Sequence, residues 1–459
     1  MYTTRYLGSE NYGILSFAIA FASITLFLAD IGIASVLIRD VARDKARTQK
    51  YLANSVFLKI ILAAVTLVST AAIGFALNYP SSTMQMVLVI SLSLIIVSFS
   101  GIIGSILQAY EVMEYLSLGS IIYNLTMLIC ALLAIYSGMD VYGFSYVYLI
   151  SSIVILGYYV VIALRKIPLP KWDIDFALWK YIVKEAIPFG LSLVFVRVYY
   201  YIDTVMISLM ISNPNEAMGW YNAAYRMVLV LAFIPVTFLG SMYPIMSNFY
   251  VTSDKYLGFI FERSFKYLMI IAIPIGVGTT VLGNQLILLI YGPDFAPSTI
   301  ALQILIWSEV LIFLNAVFGN LFNSINRQGI VAKQTILATV LNIILNLVLI
   351  PKYSYVGASA ATVATQLFAF CFLLYFASQE GYSFPRIMIL HLSKVLFACF
   401  MMALFVKLFS GIPLLLLILI AAIVYLIIIV LTGVTDKIDK QMARQLIGGI
   451  KAHSGRKET

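Results

Sequence analysis

Thirteen apolar stretches make up most of this chain, and nearly every cationic residue falls in alternate gaps between them. The stretches cover roughly residues 12–37, 52–77, 84–107, 118–136, 141–164, 186–210, 218–246, 268–290, 300–322, 336–350, 355–376, 388–409 and 412–431. A hydrocarbon core about 30 Å thick takes ~20 helical residues to cross, and most of the stretches reach that length. The short one at 336–350 extends back through Val331 and Thr335. No soluble core accounts for so many in series, so the expected fold class is all-α, a polytopic membrane protein. With 62% hydrophobic and 11% charged residues, the chain has no room for a large soluble domain.

The net charge of +9 raises the question of a nucleic-acid partner, and its distribution answers it. Arg39, Arg43, Lys45, Arg47 and Lys50 fill the first gap, and Arg165, Lys166, Lys171, Lys180 and Lys184 the fifth. Lys255, Arg263 and Lys266 lie in the seventh gap, Arg327 and Lys333 in the ninth, Arg386 in the eleventh, and a basic run follows Thr435. The intervening gaps hold only Lys352. Under the positive-inside rule the basic gaps and the C-terminus are cytoplasmic, in a multi-pass protein of the cell membrane. The charge is a topology signal, and no nucleic acid is expected. Thirteen spans then place the N-terminus outside, although Met1-Tyr2-Thr3-Thr4-Arg5 is no signal peptide. Either the N-terminus is translocated or a first helix is missing upstream.

A parallel internal repeat favours the missing helix. Residues 108–135 align without gaps to residues 323–350, each copy a polar turn followed by an apolar helix. The next helices begin alike, Gly143-Phe144-Ser145 against Gly357-Ala358-Ser359, and the Tyr12 helix matches the one holding Tyr221. Two like-oriented lobes with substrate between them are a transporter plan. The stretch at 186–210 has no counterpart in the first half, where Arg5-Tyr6-Leu7-Gly8 stands at the position of its end. The expected architecture is two pseudo-symmetric six-helix lobes plus a C-terminal helix pair, with thirteen of fourteen spans present. Its divisions are a first lobe at 1–164, an amphipathic cytoplasmic linker at 165–185, a second lobe at 186–379, a helix pair at 380–434 and a basic tail at 435–459. In the linker Ile174, Leu178 and Ile182 recur at i, i+4, i+8 beside Trp172 and Trp179, as in an interfacial helix.

Several motifs in order carry a resemblance. RYLGSENYG at 5–13, the DIG turn at 30–32, YYIDTVMIS at 200–208, IYGPDFAPS at 290–298, NSINRQG at 323–329 and YSYVGASAATV at 353–363 resemble the polysaccharide biosynthesis, or oligosaccharide flippase, family. That family shares a superfamily with multidrug and toxin extrusion antiporters and the lipid II flippase. The resemblance covers essentially the whole chain. It implies transfer of a polyprenyl-(pyro)phosphate-linked oligosaccharide across the membrane, for cell-surface polysaccharide or glycan synthesis, beside possible glycan-assembly enzymes. The family often has Arg two residues before the motif Asp, where this chain has Tyr201; the nearest cation is Arg197.

Charges inside spans are costly, and they face wet cavities or partners. Asp203 and Arg226 lie at matched depth on consecutive helices, as do Asp30 and Lys59 nearer the basic side. Each couple reads either as a structural salt bridge or as part of an anion route. Arg197 falls mid-helix with Tyr200 and Tyr201 at i+3 and i+4 on its face. A guanidinium grips phosphate oxygens through parallel N–H donors, and tyrosine rings stack on sugars. Arg197, Tyr200, Tyr201, Lys59 and Arg226 are therefore the candidate substrate-binding residues. Glu309, at similar depth, is the expected partner of Arg197, either as a fixed structural pair or as one opened by substrate or a proton. Glu309, Asp203 and Asp30 are the candidate gating and ion-coupling groups, the ion being H+ or Na+.

Asn315, Asn320, Asn342, Asn346 and Gln366 read as interhelical glue or as cavity lining. Cys130, Cys371 and Cys399 lie within spans, and His391 and His453 cannot build a metal site, so neither cofactor nor metal is expected. No Walker lysine motif is present. A cation-coupled multidrug antiporter is the alternative, since fold does not fix function; it favours a carboxylate-rich cavity, whereas intramembrane cations here match the carboxylates. A membrane-embedded glycosyltransferase or polymerase needs acid/base residues on sizeable outer loops, and the short outer gaps offer only Asp140 and Asp294. The expected function is a flippase working by alternating access, not an enzyme.

Overall fold

A computed structural model of the chain describes residues 2–168, 173–382 and 386–434. Regular structure among the described residues is entirely helical: α1 (Tyr2–Thr25), α2 (Ile33–Arg43), α3 (Thr48–Ala76), α4 (Ser81–Ala109), α5 (Met113–Tyr136), α6 (Val141–Lys166), α7 (Phe176–Met210), α8 (Pro214–Leu229), α9 (Phe233–Thr252), α10 (Asp254–Ile290), α11 (Ser298–Ser324), α12 (Gln328–Gln379), α13 (Arg386–Leu408) and α14 (Leu414–Leu431). Twelve helical segments among the described residues are long and apolar enough to cross a membrane. The chain is a multi-pass, all-α membrane protein. Thirteen apolar stretches become twelve segments because α12 runs for 52 residues and takes in the stretches at 336–350 and 355–376.

Within α12 the chain bends. Pro351 cannot donate a backbone hydrogen bond, and Ser354 takes a left-handed φ of 54°. A Cβ on Gly357 would lie 2.3 Å from the Leu349 carbonyl oxygen, so the bend closes tightly enough to require glycine there. The stretch at 218–246 is likewise interrupted, by a 3-10 turn at Val230–Ala232, just before Pro235. The start of α6 is fixed by Asp140, whose Oδ1 accepts the Gly143 N–H at 3.0 Å. In both repeat copies the helix thus restarts just upstream of the matched Gly143 and Gly357.

The described residues pack as two compact units. The first comprises Met1–Arg226, Ile290–Ala301 and Ala332–Thr365; the second comprises Met227–Leu289, Leu302–Val331 and the chain from Gln366 on. The division follows packing and not the repeat: the first unit takes in residues 1–164 together with α7, most of α8 and part of α12. Its main core joins Ile33, Val36, Leu37 and Tyr51 to Ile106, Ile182 and Ala186. The second unit is built on phenylalanines (Phe261, Phe265, Phe313, Phe318 and Phe322) against Val395, Ala398 and Met402. Tyr425 ties α14 to α10 by donating to the Ile270 carbonyl at 2.8 Å.

Inside the first unit, α1 and α8 cross with their backbones in contact. A Cβ on Gly13 would stand 1.8 Å from the Asn215 carbonyl oxygen, and one on Gly219 would stand 2.0 Å from that of Ser9. Gly13→Ala must push the helices apart, at a cost of about 1–3 kcal/mol. The expected outcome is a melting temperature several degrees lower in detergent, with Gly101→Ala unchanged as control, since a Cβ there meets nothing within 4 Å.

Residues 176–185 of the segment expected to be an interfacial linker form the first turns of α7, and residues 165 and 166 end α6. The segment's residues 169–172, Trp172 among them, lie outside the described residues, as does the basic tail at 435–459. Ile182 and Ala186 are fully buried against α2 and α3, whereas Ile174 is exposed. Asn54 of α3 holds the segment with its full hydrogen-bonding capacity. Its Nδ2 donates to the carbonyls of Lys50 and Asp173, both at 2.9 Å. Its Oδ1 accepts the Asp175 N–H and the Trp179 Nε1–H, both at 2.8 Å. Arg39 of α2 adds ion pairs to Asp40 at 2.7 Å and Glu185 at 2.9 Å.

Asp175 caps α7 through the N–H groups of Ala177 and Leu178 and pairs with Lys50 at 2.5 Å. The Lys50 contact first, then the helix N–H groups, hold its carboxyl below the ordinary 3.8. A depressed folded pKa stabilises the clamp above the unfolded value and loses that contribution as pH falls through the folded one. Hydrogen exchange of amides 176–182, corrected for intrinsic rate, is therefore expected to accelerate below about pH 4. In Asp175→Asn the exchange should be fast already at pH 6 and indifferent to acid.

Candidate functional site

The charged residues inside the first unit gather into three groups. In the first, Asp30 stands between two basic side chains. The turn after α1 carries it, where Gly32 takes a φ of 93°. Gly190 of α7 approaches that turn so closely that a Cβ would lie 2.4 Å from the Ile31 oxygen. This close approach brings Arg197, two turns further along α7, to Asp30: its Nη2 donates to Asp30 Oδ2 at 3.1 Å. Lys59 of α3 reaches Asp30 Oδ1 at 3.8 Å and donates to the Ser98 carbonyl at 2.9 Å. Lys59 is buried at 3% side-chain exposure, while Arg197 and Asp30 keep 25% and 23%. Two basic side chains share one carboxylate, and the guanidinium keeps a quarter of its surface exposed.

The Asp30–Lys59 contact matches the sequence expectation. For Arg197 the partner differs, being Asp30 in its own unit and not Glu309. Matching depth along two helices fixes height but not which faces meet, and the Gly32–Gly190 approach decides that here. Glu309 belongs to α11 in the second unit, with Oε1 buried and without a hydrogen-bond partner among the described residues.

Asp203 forms the second group and does not pair with Arg226. Its Oδ2 accepts the hydroxyls of Tyr221 and, at 2.9 Å, Thr362; its Oδ1 accepts Asn346 Nδ2 at 2.6 Å. Asn346 Nδ2 also reaches Asn342 Oδ1 at 3.0 Å. The bend at Ser354 makes this possible, because Asn342 and Asn346 precede it on α12 and Thr362 follows it. The carboxylate is 4% exposed, and among the described residues no Lys or Arg is a hydrogen-bond partner. A buried carboxylate without a cationic side chain is expensive unless a proton or a small cation neutralises it. Asn346 Oδ1 has no partner among the described residues, so a rotation of that amide would turn a further oxygen toward a cation.

Arg226 centres the third group. Its side chain is exposed on α8. Tyr12 is buried, with a hydroxyl that has no hydrogen-bond partner among the described residues. Tyr201 is half-buried on α7, and Tyr200, 37% exposed, sits edge-on to Tyr199. Sequence reasoning did not single out Tyr221 or Thr362 as carboxylate partners and read Asn342 and Asn346 as glue or cavity lining. The available signal was their i, i+4 spacing on one face; nothing local says that α12 folds back over α7.

Comparison with known proteins follows this geometry. The family model described as polysaccharide biosynthesis protein matches residues 1–250, and that of the MatE family matches residues 188–348. A probable low-salt glycan biosynthesis flippase, Agl15, of Haloferax volcanii is 22% identical over 78% of this chain and 74% of its own. The lipid II flippase MurJ in an inward closed conformation superimposes with a TM-score of 0.75 at 17% identity, over 93% of this chain and 96% of its own. A multidrug resistance MATE transporter in an inward-facing conformation gives 0.68 at 14% identity, over 82% and 93%.

Proposed function

This chain belongs to the polysaccharide biosynthesis protein family, and from that premise we propose that it is a flippase for a lipid-linked oligosaccharide. The observation that carries the reading is the Asp30 group: two basic side chains on one carboxylate, with the Arg197 guanidinium accessible inside an apolar protein. An arginine with one N–H engaged by Asp30 keeps other donors for phosphate oxygens, in a setting where charge-assisted bonds are strong. Lys59 adds field from behind, and the exposed Arg226 offers a second cation for an anionic group. The headgroup of a polyprenyl (pyro)phosphate has the charge and the donors' geometry to match, while its lipid stays in the bilayer. The protein is a transporter in this reading, not an enzyme, and catalysis of bond change is not required of any of these residues.

Asp203 is the proposed site of the coupling ion, H+ or Na+, because its ligands are oxygens and amides and it lacks a cationic side chain. The basic gaps are proposed to face the cytoplasm in the cell membrane, with the C-terminus on that side. Headgroup capture from the inner leaflet and alternating exposure of the site then complete the cycle. The MATE-like alternative predicts cationic cargo, which the accessible Arg197 guanidinium would repel.

The test uses proteoliposomes holding a short-chain lipid-pyrophosphate oligosaccharide. Protein-dependent appearance of inner-leaflet sugar to a membrane-impermeant glycosidase is expected. Ion-driven efflux of a cationic dye without sugar exposure would instead assign the chain to drug transport.

A further inference from the structure

At the end of the first unit remote from the basic gaps, a cavity of about 710 Å³ opens between α1, the α3–α4 turn and the α7–α8 turn. The orientation proposed above puts it on the outer face. Its lining is unlike that of the Asp30 group. Among the described residues around it there is no Lys or Arg, and two carboxylates, Glu10 and Glu216, stand with the amides of Asn78 and Asn215 and the hydroxyl of Ser212. Asn215 Nδ2 donates to Glu10 Oε1 at 3.4 Å, a long contact that leaves most of both groups' capacity to a ligand. One wall is aromatic: Tyr79 packs on Phe17 with ring centroids 4.7 Å apart, and its hydroxyl is held by Ser208 at 2.7 Å.

We propose that this cavity is a saccharide-binding vestibule, selective for neutral or amine-bearing sugars and closed to uronates and phosphates. Paired acceptors and donors on amides and carboxylates suit vicinal hydroxyls, and an aromatic wall suits the C–H face of a pyranose. The volume falls in the range of small-molecule pockets, roughly 300–1,000 Å³. A dedicated metal site is the poorer fit, since Ca²⁺ needs six or more oxygens converging at about 2.3–2.6 Å. No group of three or more acidic, histidine or cysteine side chains gathers among the described residues. The two uncompensated carboxylates set the charge preference, because like charges juxtaposed across an interface oppose binding and suppress wrong partners. The unit thereby holds two sites of opposite sign, one for an anionic head and one for the uncharged glycan attached to it. The link between the two rests on the flippase reading; the vestibule's own specificity does not.

The experiment measures equilibrium binding to the full chain in lipid nanodiscs, using four soluble probes: the N-acetylglucosamine trimer, the glucosamine trimer, the galacturonic acid trimer and spermidine. The glucosamine trimer is expected to bind tightest and the galacturonic acid trimer weakest, separated by about tenfold or more. Spermidine, with the same number of amines and no ring, should bind less well than the glucosamine trimer. Glu10→Gln with Glu216→Gln should bring the extremes within about threefold, the residue expected once full charges are gone, without loss of the neutral trimer. Tyr79→Ala should weaken all three sugars. Equal binding of the uronate and amine trimers, no binding of any sugar, or spermidine binding as tightly as the glucosamine trimer would each overturn the proposal, the last making the cavity a cation funnel. Arg197→Ala is expected to leave the ranking intact. Absence of flipping by the unsubstituted protein with the ranking present counts against the flippase reading alone, and flipping with no ranking counts against the vestibule alone.

Discussion

Arg197→Ala is expected to slow exposure of a lipid-pyrophosphate oligosaccharide by about a hundredfold or more, equivalent to roughly 3 kcal/mol, the scale of truncating one partner of a buried charged contact. Membrane insertion and folding should survive, because Asp30 keeps Lys59 at 3.8 Å as a counter-charge. Arg197→Lys should recover only part of the rate, since an ammonium cannot make the paired N–H contacts. The companion variant separates binding from scaffolding. Asp30→Asn removes the internal competitor for the guanidinium, so headgroup affinity should rise while turnover falls. A purely structural pair predicts the opposite: both variants would lose thermal stability to a similar degree, and headgroup affinity would not move in opposite directions. Parallel changes in affinity for the two variants would remove Arg197 from the substrate site.

Asp203→Asn carries the second large effect. The amide keeps the shape and accepts some of the same hydrogen bonds from Tyr221, Thr362 and Asn346. It cannot be neutralised by a proton and holds a cation poorly. Transport should therefore lose its dependence on an imposed H+ or Na+ gradient, with the ion-stimulated rate falling by about 10- to 100-fold, the range given by coupling free energies of 1–3 kcal/mol. The protein itself is expected to become more heat-stable without added ions, since an uncompensated buried carboxylate has been replaced by a neutral group. Thr362→Val tests the ligand set separately: it should weaken ion dependence while leaving headgroup binding untouched. An Asp203→Asn protein that still responds to the gradient would move coupling elsewhere, with Glu309 the next group to test.

The sequence carried the class of the fold openly, since charge confined to alternate gaps and the length of the apolar stretches survive any packing arrangement. It also carried which residues are unusual. Asp30, Lys59, Arg197, Asp203 and Arg226 stand out because an ionised group in a span costs so much that few are kept. Partner choice was less legible. Depth can be counted along a helix, whereas azimuth and neighbour depend on contacts more than a hundred residues apart, and that is why Arg197 was assigned to Glu309 and Asp203 to Arg226. The Ser354 bend illustrates the difficulty: Pro351 announces a break, but not that Thr362 returns to the carboxylate beside Asn346. Asn54 was missed for another reason. A single asparagine in an apolar helix resembles any other, and its four hydrogen bonds appear only once the start of α7 lies across it.

The crossing of α1 and α8 at Gly13 and Gly219 has a thermal consequence. Side chains meeting at an interface lose rotamer freedom when they dock, a cost that grows with temperature. At this crossing it is peptide backbone that meets, and glycine has no rotamers to lose. Small residues that let membrane helices approach rely on dispersion and on weak Cα–H contacts, with little hydrophobic contribution. Separation and closure at this point should therefore have a small entropy change and almost no heat-capacity signature. The balance between contact and separation there would then drift little as the membrane warms or cools.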